Sequence, residues 1–252
     1  GFCEYVHVPE AWTRGYERLR SLNSAAGMAA NALALGLLIA VVAVLFRRLR
    51  GRDLRWRTAL LFGGVGFCLS LLAGLNALPT SFYEYDTTAS LGGFVARQML
   101  GALFGGLLIG MFLFLLGLAG ESVYRERYPE KLSLGSFFTR RGLRTRRFLL
   151  QGAIGLALTA LFFCYQEVFY FVALRFGAWA PMEVPYSELL NTAFPWVFIL
   201  LIGFLPAVSE EFLFRMFPIP FLQKHTRSTA LALLLPAFIW GFAHSDYPNQ
   251  PF

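Results

Sequence analysis

Apolar residues fall in six runs, at 25–46, 58–78, 98–119, 148–174, 195–217 and the shorter 228–243, with most charges held in the segments between them. A bilayer core about 30 Å thick takes about 20 apolar residues in helical form, and the six runs approach or meet that length. Helix is the predicted state of each, because hydrocarbon cannot satisfy the open edge of a sheet. The pattern therefore predicts an all-α, polytopic transmembrane helical bundle with about six spans here and more in the complete protein. Three regions follow: 1–24, extracytoplasmic or interfacial; 25–147, transmembrane helices joined by basic cytoplasmic loops; and 148–252, a second set of transmembrane helices. Gly1 and Phe252 both read as cut ends.

Charge then orients the bundle. Arg47, Arg48, Arg50, Arg52, Arg55 and Arg57 face a lone Asp53 between the first two runs, and Arg125, Arg127, Lys131, Arg140, Arg141, Arg144, Arg146 and Arg147 lie between the third and fourth. Basic loops stay in the cytoplasm. The alternate loops carry Glu84, Asp86, Glu183 and Glu188, with Arg97 and Arg175 near span ends, and are predicted to face outward; Lys224 and Arg227 return to the cytoplasm. Arg14, Arg18 and Arg20 run against this scheme unless a further helix precedes Gly1. The expected location is the cell membrane, as a multi-pass protein.

Composition agrees. The chain is 57% apolar and 15% charged with a mean hydropathy of +0.56, whereas soluble domains run near a quarter charged. A net charge of +7 does not imply a nucleic-acid partner, because the basic residues sit between apolar runs rather than on a foldable polar surface. The expected partners are the lipid bilayer and a peptide or protein substrate. Cys3, Cys68 and Cys164 show no CxxC spacing, and the last two behave as small apolar residues inside spans. Gly101, Gly105, Gly106 and Gly110 form two overlapping GxxxG patterns, expected to let a neighbouring helix approach. Asn76 and Gln98 are expected at the interface; Gln166 and Glu167 lie deeper, in the outer half of a long helix.

The segment from Leu205 to Arg215 holds Glu210, Glu211 and Arg215 within an apolar span. One charge at the bilayer centre costs on the order of 2.5–3.5 kcal/mol on insertion scales. Glu211 and Arg215 are four apart, acid first, and stack on one helix face as an ion pair. Glu210 is turned about 100° away and lies out of reach of Arg215 on its own helix. A carboxyl in a low-dielectric cavity is suited to general-base work, which makes Glu210 the base candidate; the sequence leaves equally open that it lies near the headgroups and is solvated. The sixth run ends in Trp240-Gly241-Phe242-Ala243-His244. Proline at 218 and 220 is expected to end the preceding helix, so that antiparallel neighbours bring His244 toward Glu210. Depth opposes this: a helix starting near Ser228 carries His244 roughly 24 Å away from the cytoplasmic surface, well above Glu210.

Glu-Glu-x-x-x-Arg followed after about thirty residues by an aromatic-x-x-x-His resembles the CAAX protease and bacteriocin-processing family of intramembrane glutamate proteases. Glu210-Glu211 with Arg215 fits the first motif, and Trp240 with His244 fits the second, Trp standing where Phe is usual. The resemblance covers the last quarter of the chain and implies that 148–252 is the catalytic region of a hydrolase. It implies that Glu210 and His244 are catalytic, activating a water against a peptide carbonyl, with Glu211, Arg215 and Trp240 in support and no cofactor. The family's third motif, a later His with Asn or Asp four residues on, is absent; the expectation is that it lies beyond Phe252, after a turn over 245–252.

Rival readings remain at this point. Zinc also activates water, yet no HExxH is present and one His alone is well placed. Ser209 lacks a GxSxG context. A transporter using intramembrane carboxylates would carry polar groups on several spans, and the first three are nearly free of charge. A catalytically silent membrane scaffold would keep the helices and lose the chemistry.

Overall fold

The computed structural model describes residues 7–51, 54–129, 135, 139–177 and 192–245. Among them every regular element is helical: α1 (Glu10–Gly51), α2 (Trp56–Asn76), the single turn α3 (Leu78–Ser81) with a 3-10 turn at Phe82–Glu84, α4 (Leu91–Arg127), α5 (Arg140–Leu143), α6 (Arg146–Arg175), α7 (Pro195–Glu211), a π turn (Phe212–Met216), α8 (Pro218–Thr226) and α9 (Thr229–Ala243). Among the described residues five helical stretches are long and apolar enough to cross a membrane: α1, α2, α4, α6 and the continuous run Pro195–Thr226; α9 is a shorter apolar helix. The protein is an all-α helical bundle.

The helices outrun the apolar stretches that predict them. Backbone hydrogen bonding does not stop where hydrocarbon does, and polar ends cap well. In α4 the Ser90 hydroxyl accepts from the Gly93 N–H at 3.2 Å, as an N-cap side chain does, while Arg125 and Arg127 complement the dipole in its last turn. Helix α1 begins at Glu10, so residues 10–24 continue the first span as helix. Segments 1–6, 178–191 and 246–252, with Arg52, Asp53, Lys131, Glu183 and Glu188, lie outside the described residues.

The chain divides into two compact units. One takes Gly1–Gly36, Gly155–Glu183 and Ala237–Phe252; the other takes Leu37–Ile154 and Val184–Pro236. In the second, α2 lies along α4. Contact is close enough that a Cβ on Gly63 would stand 2.7 Å from the Gly110 carbonyl oxygen, and one on Gly110 would stand 2.9 Å from that of Gly63. Gly106 faces the Phe67 carbonyl at 3.2 Å, whereas Gly101 and Gly105 meet nothing within 4 Å. Half of the glycine face is thus a helix contact. Ala59, Phe62, Leu113, Leu116 and Ala119 fill the space between.

In the first unit the Ser245 hydroxyl lies 2.9 Å from the Asn23 carbonyl oxygen and 2.7 Å from that of Phe242, both acceptors. Leu33 of α1 and Leu156 and Phe163 of α6 are more than half exposed, as are Ile39 and Leu108 in the second unit. No residue of α6 is buried. In water such a surface would aggregate; in hydrocarbon it is the ordinary exterior of a bundle.

The glycine contact makes a contrast. Gly63→Ala forces a methyl against backbone that cannot yield and is expected to destabilise the protein by about 1–3 kcal/mol. Gly105→Ala, in open space, is expected to be neutral or slightly stabilising through helix propensity. Denaturant titration of the two variants in the same detergent checks the difference.

Candidate functional site

Helix α7 starts where Pro195 supplies a fixed φ at its first position. Its entry is held by a side chain from α2. Asn76 Nδ2 donates to the Phe194 carbonyl at 2.9 Å, and the Phe194 N–H donates to Asn76 Oδ1 at 3.0 Å. Asn76, the last residue of α2, is buried, as suits an amide that satisfies both backbone groups of one residue. Pro206 inside α7 removes one backbone donor, loosening the helix a turn ahead of the acids.

The next turn changes winding. The Phe217 N–H donates to the Phe212 carbonyl at 3.0 Å, an i to i−5 bond that defines the π turn. Its apolar residues point inward. Phe212 meets Phe62 edge-on at 5.0 Å between centroids and lies against Gly117 of α4 at 3.4 Å from where a Cβ would be, while Leu213 and Phe217 are buried. The polar ones point out: Arg215 Nη1 donates to Glu211 Oε1, both side chains half exposed. Glu210, in the last turn of α7, is half-buried.

Helix does not end at the prolines, contrary to expectation. Pro218 and Pro220 open α8, where the first N–H groups of a helix have no internal partner, so the missing donors cost nothing. The π turn passes the chain across the gap, and Phe221 N–H then bonds to the Phe217 carbonyl at 3.2 Å. Reversal comes at Arg227, whose φ of 57° is the left-handed conformation that stops a helix.

His244 follows α9. Its Nδ1 lies 2.7 Å from the Trp240 carbonyl, which can only accept; Nδ1 therefore carries hydrogen, and in the neutral ring Nε2 holds the lone pair. The Trp240 and His244 rings lie 4.5 Å apart between centroids, tilted by 49°. His225 repeats the arrangement with Phe221, at 2.7 Å to the carbonyl and 4.3 Å between rings, so it is a local property of an aromatic four residues before a helix-end His. Ser245 is buried beside it.

Glu121 and Glu126 of α4 did not stand out in the sequence. Glu121 is 5% exposed; its Oε1 makes no hydrogen bond, and Arg55 Nη1 lies 3.9 Å from it. Adjacent Gly120 touches Met216 of the π turn. The available signal was Arg125, four residues on from Glu121, the same acid-then-base spacing as Glu211 and Arg215. Glu167 of α6 is exposed. Among the described residues no group of three His, Cys, Asp or Glu side chains gathers in a metal-binding arrangement.

Residues 192–252 match the family model described as type II CAAX prenyl endopeptidase Rce1-like. The matched segment holds α7, the π turn, α8 and α9, and with them Glu210, Glu211, Arg215, Trp240 and His244. The two motifs and the Rce1-like match thus point to the same family, on the same quarter of the chain. No curated protein and no solved structure matches it.

The clamp at the head of the Rce1-like segment is directly testable. Asn76→Leu strands the Phe194 N–H and carbonyl and is expected to cost about 1–3 kcal/mol for each group left unsatisfied. Unfolding of that variant against Asn76→Gln in one detergent, with the larger loss in Leu, is the check.

Proposed function

We propose that this chain is an intramembrane endopeptidase of the cell membrane, a multi-pass hydrolase in which Glu210 and His244 hold and activate one water. Glu210 carboxylate takes a proton from that water, and His244 Nε2 accepts its second hydrogen as a hydrogen bond. The oxygen adds to the peptide carbonyl carbon; the C–N bond then breaks as Glu210 returns the proton to the leaving nitrogen. The products are a carboxylic acid and an amine. Glu211 and Arg215 act as the orienting pair, and Trp240 supports the His244 ring.

The observation that carries this reading is the Rce1-like match over the two motifs. Register along the chain supports it too. Once the reversal stands at Arg227 rather than at the prolines, Glu210 lies 17 residues before it and His244 17 residues after it. At about 1.5 Å per residue both are roughly 25 Å of helix from the turn. Equal lengths of helix on the two sides of the turn support pairing these two residues.

The matching substrate class is a membrane-anchored peptide, of which a prenylated CAAX peptide is the first to try. In lipid nanodiscs, a fluorogenic farnesylated CAAX peptide is expected to be cleaved by the wild type. Glu210→Gln and His244→Ala are each expected to lower the rate by about 10²–10⁴-fold. Unchanged rates in both variants would remove the protease reading, and loss of activity with a chelator would replace the Glu/His pair with zinc.

A further inference from the structure

In the second unit, helix ends gather positive charge around α4. Arg48 of α1 and Lys224 of α8 both reach Glu126, the latter with Nζ 2.7 Å from Oε1. Arg55, ahead of α2, lies 3.9 Å from Glu121. Tyr128 donates its hydroxyl to Gln223 Oε1 at 2.5 Å, fixing the end of α4 against α8. Arg125, Arg127 and Arg227 add to the same end, so the cations outnumber the two carboxylates among the described residues there.

Between α4 and α8 runs an open groove of about 270 Å³, lined by Val123, Glu126, Arg127, Pro220, Gln223 and Lys224. Its chemistry changes along its length in the same sense on both walls. On α4 it goes from Val123 to Arg127, and on α8 from Pro220 to Lys224, four residues or about 6 Å in each case. One end is apolar and the other cationic. The apolar run of α4 stops at Ala119, so Arg127 stands eight residues, about 12 Å, past the hydrocarbon boundary. A helical arginine leans back toward the helix N-terminus and snorkels along its stem, so the Arg127 guanidinium reaches back toward the headgroup layer, which extends about 5–8 Å beyond each side of the core.

We propose that this groove is a binding site for an anionic glycerophospholipid. The phosphate sits between Arg127 and Lys224, and the glycerol lies toward the apolar end of the groove at Val123 and Pro220. A phosphate bound to choline meets the same cations but brings a positive charge into a positive field, so a net anionic headgroup is preferred. Glu126 is the built-in competitor. Its carboxylate occupies Lys224 and Arg48, and the lipid phosphate takes Lys224 from it. The site does not depend on the protease reading.

The test is native mass spectrometry of the protein released from nanodiscs of equal parts phosphatidylglycerol and phosphatidylcholine, counting retained lipid. Wild type is expected to retain phosphatidylglycerol selectively. Arg127→Gln and Lys224→Gln are each expected to weaken retention about fivefold, and Glu126→Gln to strengthen it; these side chains are exposed, so folding is preserved. Arg141→Gln, outside the groove, is the control and is expected to behave as wild type. Equal retention of both lipids, retention unchanged in the Arg127 and Lys224 variants, or displacement of the lipid by millimolar inorganic phosphate would each overturn the proposal.

Discussion

An ionised side chain within an apolar helix must find its counterion close by. Here Glu211 meets Arg215 across the junction of α7 with the π turn, and this neutralisation is the constraint on which the rest of the segment depends. In water an exposed pair at this spacing contributes little. Set among apolar spans it does more, because each partner alone would carry the insertion cost of a charge. With Arg215 paired to Glu211, the adjacent Glu210 lies half-buried in the last turn of α7, turned about 100° from Glu211.

The local winding serves that arrangement. Two prolines close behind the Glu-Glu-x-x-x-Arg motif would ordinarily break a helix, but a π turn ahead of them lets Phe217 bond back five residues and hands the chain to α8. Phe212 packs against α2 and α4, and Leu213 and Phe217 are buried, while Glu211 and Arg215 are half exposed. The glycine contact between α2 and α4 and the Asn76 clamp on Phe194 then set where α7 begins. π turns recur at functional sites for this reason: one extra residue re-aims side chains without unwinding the helix.

Much of this was legible in the sequence. Run length and apolarity gave the helices, because hydrocarbon permits little else, and the four-residue spacing gave the Glu211 to Arg215 pair. What was hidden depends on geometry that no pattern encodes. Proline at 218 and 220 reads as a stop unless one knows that the preceding turn is π, and the bond from Asn76 to Phe194 spans a sequence separation that no local pattern reports. Glu121 and Glu126 sat among too many arginines to stand out. Gly101 and Gly105 share a pattern with Gly106 and Gly110 yet face open space, since a glycine motif marks a face and not its partner.

The commitment of Glu211 to Arg215 is most directly measured by a double-mutant cycle in lipid, with unfolding free energies of Glu211→Gln, Arg215→Leu and the double variant. The account predicts that removing Arg215 alone is the most damaging change and that the double variant recovers part of the loss. The coupling should exceed the ~0.3–0.5 kcal/mol of a solvated helix pair. Additive losses with no coupling would contradict it.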